Sequence, residues 1–160
     1  LGGSFDSVGG APRRNLAAVS LSTGVLLPLN LPVEGGYPRS FVMNGATLFV
    51  GGDFSQVGGQ RRVGIAPIDT TTGTVGPWPT EGFGESVPAA AALAIRGNRL
   101  YAAIPVDTSV IRGVATFDLA GRRLPVAAGL DRPFGLSVTS LLSTGGTVFM
   151  GGRFYRSEGE

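Results

Sequence analysis

The sequence predicts an all-β protein assembled from four-stranded antiparallel units, and three observations carry that prediction. First, Gly2-Gly3-Ser4-Phe5 recurs as Gly51-Gly52-Asp53-Phe54, in degenerate form as Ala103-Ile104-Pro105-Val106, and again as Gly151-Gly152-Arg153-Phe154. The period is about fifty residues, which is that of β-propeller blades and longer than most helical or leucine-rich solenoids. Second, short apolar runs alternate with glycine turns in the same order in each copy. Third, no segment longer than about ten residues keeps helical apolar spacing without Gly or Pro, so almost no helix is expected.

Each unit opens with an apolar run read as a buried inner strand: Phe41-Val42-Met43, then Ala92-Leu93-Ala94-Ile95, then Leu141-Leu142. Turns at Gly45, Gly97 and Gly145 lead into second strands at Leu48-Phe49-Val50, Leu100-Tyr101-Ala102 and Val148-Phe149-Met150, a hairpin signal given three times. Third strands follow at Leu16-Ala17-Ala18-Val19, Ile65-Ala66-Pro67-Ile68 and Val114-Ala115-Thr116-Phe117, each before a turn with Gly24, Gly73 or Gly121. Fourth strands run to Pro28, Pro77 and into Pro125-Val126. Proline cannot donate to a ladder, so these prolines mark the fourth strand as the outer edge. The glycine doublets close the second strand, where a missing side chain allows a bulge or a close approach between neighbouring units.

The expected architecture is a single partial β-propeller over 1–160, in about three blade-equivalents of four antiparallel strands: a partial blade at 1–30, blades at 39–80 and 90–128, and a partial blade at 137–160. Closed propellers have about four to eight blades, so the chain is expected to be a fragment of a larger propeller or assembly.

Composition narrows the chemistry. Gly 27 and Pro 11 in 160 residues approach low complexity, but 42% hydrophobic and only 15% charged residues supply apolar surface to offset ordering entropy. All 13 basic residues are Arg and the net charge is only +2, so no nucleic-acid partner is indicated. With no Cys and no His, disulfides, thiolate zinc sites, cysteine nucleophiles and imidazole bases are closed, and no metal or cofactor is expected. No run approaches the roughly 18 apolar residues of a membrane span, and no signal peptide is read at the start.

The run Leu48-Phe49-Val50-Gly51-Gly52-Asp53-Phe54-Ser55-Gln56-Val57-Gly58-Gly59, then Arg61-Arg62, Ile65-Ala66-Pro67-Ile68-Asp69 and Gly73, resembles the delta-60 repeat β-propellers of bacteria. The first copy keeps Gly2 to Gly10 and Arg13-Arg14-Asn15-Leu16-Ala17. The third departs, with Ala103-Ile104 for the doublet and only Arg112, Ala115, Asp118 and Gly121 retained, which puts in doubt any site there built on the doublet loop. The pattern is also similar to kelch repeats, though Trp78 has no counterpart in the other copies. The resemblance implies a secreted or cell-surface protein serving display, adhesion or assembly, and brings no catalytic residues with it.

Candidate partner-binding residues are Arg13, Arg14, Arg61, Arg62, Tyr37 and Trp78. The paired arginines, with Arg122-Arg123, suit an anion-binding rim, but solvated loop residues or partners of Asp6 and Asp53 are the stronger reading. Tyr37, Trp78, Phe83 and Tyr101 suit stacking on a sugar or peptide, or packing between blades. Asp69 and Asp118 share a repeat position before a turn and read as turn-formers. Two functions follow. One is a non-enzymatic interaction module presenting loops to a protein or glycan partner, or to the rest of its own propeller. The other is a carbohydrate-active propeller using Glu81 and Glu85, the clustered acids in the link before the second full blade. A phosphate-cradling reading of Gly51 to Gly59 lacks the lysine and helix it needs.

Overall fold

The apolar runs become strands where the spacing places them. The structure is a computed structural model in which residues 1–79, 90–104, 113–125 and 136–154 are described. Those residues hold 15 strands, all paired antiparallel, and no helix. At the N-terminus a hairpin of β1 (Ser7–Val8) and β2 (Ala11–Pro12) is followed by β3 (Val33–Glu34). Leu16 to Val19 differs from expectation. Instead of a continuous third strand it makes two single bridges, Gly2 to Leu16 and Val19 to Leu26.

The first full sheet comprises β4 (Pro38–Asn44), β5 (Thr47–Gly52), then, after the hairpin of β6 (Gln56–Val57) and β7 (Gln60–Arg61), β8 (Ile65–Asp69) and β9 (Thr74–Val75). Its strand order is β4-β5-β8-β9, while β6 and β7 join β3 in a separate three-stranded sheet. The second full sheet repeats the plan as β10 (Ala92–Arg96), β11 (Arg99–Ile104), β12 (Gly113–Asp118) and β13 (Arg123–Leu124), in that order. A third hairpin, β14 (Leu136–Thr144) with β15 (Thr147–Phe154), follows. Pro77 and Pro125 lie just beyond β9 and β13, which are edge strands, as the missing donor requires.

Apolar clusters alternate with the sheets. Leu16, Val33, Val50, Phe54, Val57, Ala66, Ile68 and Val75 fill the space between the N-terminal segment and one face of the first sheet. From its other face Phe49 and Ile65 meet Leu93, Leu100, Ala102, Ile104, Ala115 and Phe117 of the second. Beyond that, Ala92, Ala103 and Val114 meet Val138, with Leu141 and Met150 packed against them. The opening strands adjoin as well, β10 lying against both β4 and β14. Flanked on both sides, β10 buries Ala92, Leu93 and Ala94.

The other two opening strands are not buried as expected. Phe41 is 40% exposed, Met43 51% and Leu142 60%. Burial comes from the neighbouring sheet, not from a strand's own sequence. On its open side Phe41 meets the Gly2 backbone, where a Cβ would collide with its ring. Leu142 and its cross-strand partner Phe149, 55% exposed, have no described sheet beyond them.

The glycine doublets mark bulges. Opposite Gly51 and Gly52 the register of β4 shifts between Pro38 and Ser40, leaving Arg39 as the extra residue. Opposite Gly151 and Gly152, β14 shifts between Val138 and Ser140. Where Ala103 and Ile104 replace the doublet, β10 and β11 pair without a shift. The close approach expected of glycine is also present: a Cβ on Gly51 would stand 2.9 Å from Cγ of Leu93 in the next sheet, and one on Gly52 would collide with the Tyr37 carbonyl.

Candidate functional site

At the doublet end of the first sheet, the bulge and the loop after β5 bring Tyr37, Arg39 and Asp53 together. The Asp53 carboxylate accepts the Tyr37 backbone N–H at 2.9 Å and Nη2 of Arg39 at 2.8 Å. Partial burial pushes the Asp53 carboxyl up, but the Arg39 hydrogen bond, the backbone amides of Tyr37 and Asp53 and the Arg39 charge outweigh it and hold the group below the usual carboxylate range. The same bond raises the pKa of Arg39. Asp53 therefore pairs with Arg39, not with Arg61 or Arg62 as the paired-arginine reading had it. The bulge is the reason, since it turns the extra residue toward the doublet loop.

Arg13 and Arg62, which follow β2 and β7, are anchored to backbone. Arg62 Nε and Nη2 donate to the Gly76 carbonyl at 2.9 and 2.8 Å, and Nη1 to the Arg61 carbonyl at 2.7 Å. Arg13 does the same one copy earlier, Nη2 to the Leu27 carbonyl at 3.1 Å and Nη1 to the Pro12 carbonyl at 2.8 Å. The bond does not require proline, since Arg13 makes it opposite Ala18, but at Pro67 it meets a gap in the ladder. The Gly76 amide donates to the Pro67 carbonyl at 2.8 Å, but Pro67 has no N–H to return, and the Arg62 guanidinium fills the vacant position on the Gly76 carbonyl. Arg13 thus corresponds to Arg62, and Arg14 to Val63; the two arginine pairs are offset by one residue and are not equivalent as pairs. Arg14 instead meets Glu34 at 3.0 Å and Asp6 at 4.0 Å, the latter a partner the sequence suggested.

Backbone bonds match between the two copies as well. Gly3 donates to Asn15 and Gly52 to Gly64; Arg13 to Asp6 and Arg62 to Ser55; Asn15 to Phe5 and Gly64 to Phe54. At this position Gly64 has φ 74° and Asn15 has φ 64°, a left-handed conformation that asparagine tolerates better than most residues. Its side chain is used too, Oδ1 accepting the Phe5 N–H at 3.2 Å and Nδ2 donating to the Val33 carbonyl at 2.9 Å.

Of the six partner-binding candidates, Arg61 and Tyr37 are the exposed ones whose side chains lack a hydrogen-bonding or ionic partner among the described residues; Tyr37 is 42% exposed. Trp78 is 4% exposed and sits between the two full sheets, its ring edge-on to Phe49 at 5.9 Å and tilted on Phe117 at 5.6 Å. That placement serves packing and leaves no face for a partner. Arg122 is tied to Asp118 at 3.1 Å, and Arg123 is exposed. Asp69 and Asp118 form the expected turns: Asp69 accepts the Thr71 and Thr72 amides, Asp118 those of Ala120 and Arg122. Those amides hold both carboxyls below their usual range.

Phe83, Glu81 and Glu85 lie outside the described residues. Among the described residues no group of three or more acidic side chains could hold a metal ion, and no helix is long and apolar enough to cross a membrane. Sequence reasoning missed Arg39, Glu34 and Asn15. For Asn15 the signal was available, since it stands where the next copy has a glycine. No protein-family model matches the chain, and no curated protein matches it.

Proposed function

We propose that the chain is part of a β-propeller of the delta-60, kelch-like kind and acts as a non-catalytic interaction module of a secreted or cell-surface bacterial protein, presenting its inter-strand loops to a protein or glycan partner. One observation carries the architectural half: two sheets of identical strand order stack face to face with their opening strands adjoining, and matching bonds recur in successive copies. Radial stacking of four-stranded sheets about an axis produces that combination. The interaction half is supported by the absence of His and Cys from the sequence and by the exposed Arg61 and Tyr37 at the doublet end. Arginine and tyrosine are the side chains most enriched where proteins bind partners.

Glycan arrays and cross-linking pull-downs with the intact chain test the reading. Capture of a partner that is lost in an Arg61→Ala, Tyr37→Ala double variant is expected. Turnover of an arrayed substrate in place of stable capture would replace the module with an enzyme.

A further inference from the structure

We propose that the opposite end of the second full sheet binds a tetrahedral oxyanion, the sulfate or phosphate ester of a small ligand, between the guanidinium groups of Arg96 and Arg99. The site lies away from Arg61 and Tyr37 and goes beyond the interaction reading, resting on it only for the site's non-catalytic use.

Topology concentrates the charge. The β11–β12 register sets Arg99 opposite Asp118, so the β10–β11 turn and the β12–β13 turn lie at the same end of the sheet. Arg96, Arg99, Arg122 and Arg123 all gather there around one carboxylate. That carboxylate is committed. Asp118 accepts the Ala120 and Arg122 amides at 3.1 and 2.8 Å and Nε of Arg122 at 3.1 Å. Arg96 and Arg99 are exposed and neither makes a side-chain hydrogen bond or ion pair among the described residues.

Their mutual position is unfavourable without a ligand. They are the last cross-strand pair before the Gly97-Asn98 turn, directly opposite each other, where like charges repel. The corresponding pairs in the flanking hairpins are Asn44 with Thr47 and Thr144 with Thr147, both uncharged. The second sheet alone sets two cations at this place. A cavity of about 440 Å³ opens beside them, lined by Arg96, Gly97, Asn98, Arg99 and Tyr101. The neighbouring β14–β15 turn is glycine at the point of contact: a Cβ on Gly146 would stand 3.6 Å from Nη2 of Arg96.

Two planar forks match the oxygens of a tetrahedral anion, and the Tyr101 hydroxyl adds a donor at the wall. The depression is open to solvent, which leaves room for the sugar or other group that carries the ester.

The test is an amide NMR titration of the 160-residue chain at fixed ionic strength with sodium sulfate, inorganic phosphate and a sulfated disaccharide, the tighter of the two ions identifying the ester. Saturable shifts at Gly97, Asn98 and Gly146 are expected, weakened about tenfold or more in Arg96→Gln and in Arg99→Gln and unchanged in Arg61→Gln. Either of the first two variants is also expected to raise the melting temperature of the ligand-free chain by relieving repulsion. Absence of saturable shifts with all three probes, equal shifts in the variants, or a lowered melting temperature in both would overturn the site. Release of free sulfate from the disaccharide would instead overturn the non-catalytic reading and leave the site standing.

Discussion

The first and second full sheets share strand order, hairpin turns and a turn-forming aspartate, yet are built differently at the doublet end. The first ends β5 in Gly51-Gly52, and with that doublet come a bulge, an Asp53–Arg39 pair and close contact with the following sheet. The second ends β11 in Ala103-Ile104, pairs β10 without a shift, and buries both side chains, Ala103 at 0% and Ile104 at 1% exposure. Two side chains thus do in one sheet what backbone does in the other. The doublet is a device for bringing a neighbour close and turning a loop, and the four-stranded sheet forms without it.

The strongest way to break the comparison is to remove what joins the two sheets. Trp78→Ala should cost about 3–5 kcal/mol in denaturant unfolding, since its ring is the largest group between Phe49 and Phe117. A loss below about 1 kcal/mol would show that the sheets are held by the flanking aliphatics alone. Next comes the doublet itself. Gly52→Ala should cost about 1–3 kcal/mol, because the new methyl meets the Tyr37 carbonyl, which is backbone and cannot swing away. In the second sheet Ala103→Gly, at the place of Gly51, should cost only about 1 kcal/mol, the entropy of an added glycine with a small loss of packing. Equal losses would mean that the two ends are not differently built.

Removing the guanidinium that answers Pro67, Arg62→Gln, should cost about 1–3 kcal/mol by leaving the Gly76 carbonyl underbonded.

The smallest effect is the pH dependence of the doublet loop. The folded pKa of Asp53 lies below its unfolded value, so its pairing with Arg39 contributes stability above the ordinary carboxylate range and loses it as pH falls through the depressed folded pKa. With Arg39 51% and Asp53 31% exposed, the contribution is screened to about 0.5–1 kcal/mol. Asp53→Asn should flatten the acid limb of stability by that amount and leave the limb due to Asp69 and Asp118, common to both sheets, in place.

Strand identity was legible because short apolar runs and glycine turns are local signals, and hairpin registers follow from turn length. The turn roles of Asp69 and Asp118 were legible for the same reason. What the sequence did not show depends on neighbours. Phe41 and Leu93 look alike as apolar residues of opening strands, yet Phe41 is 40% exposed and Leu93 5%, because only the latter has a sheet on its far side. Likewise Arg13 and Arg14 look like a pair, but one answers a fourth-strand carbonyl and the other Glu34, a difference set by bonds to residues distant in the chain.

The arginine-bonded carbonyls bear on how firmly the outermost strand is held. Leu27 and Gly76 donate their amides inward to Ala18 and Pro67, so their carbonyls face the third strand as well, and Arg13 and Arg62 clip that inner side. The two-residue ladder of β9 is thereby extended by side-chain bonds, and without the guanidinium the end of that outer strand would fray.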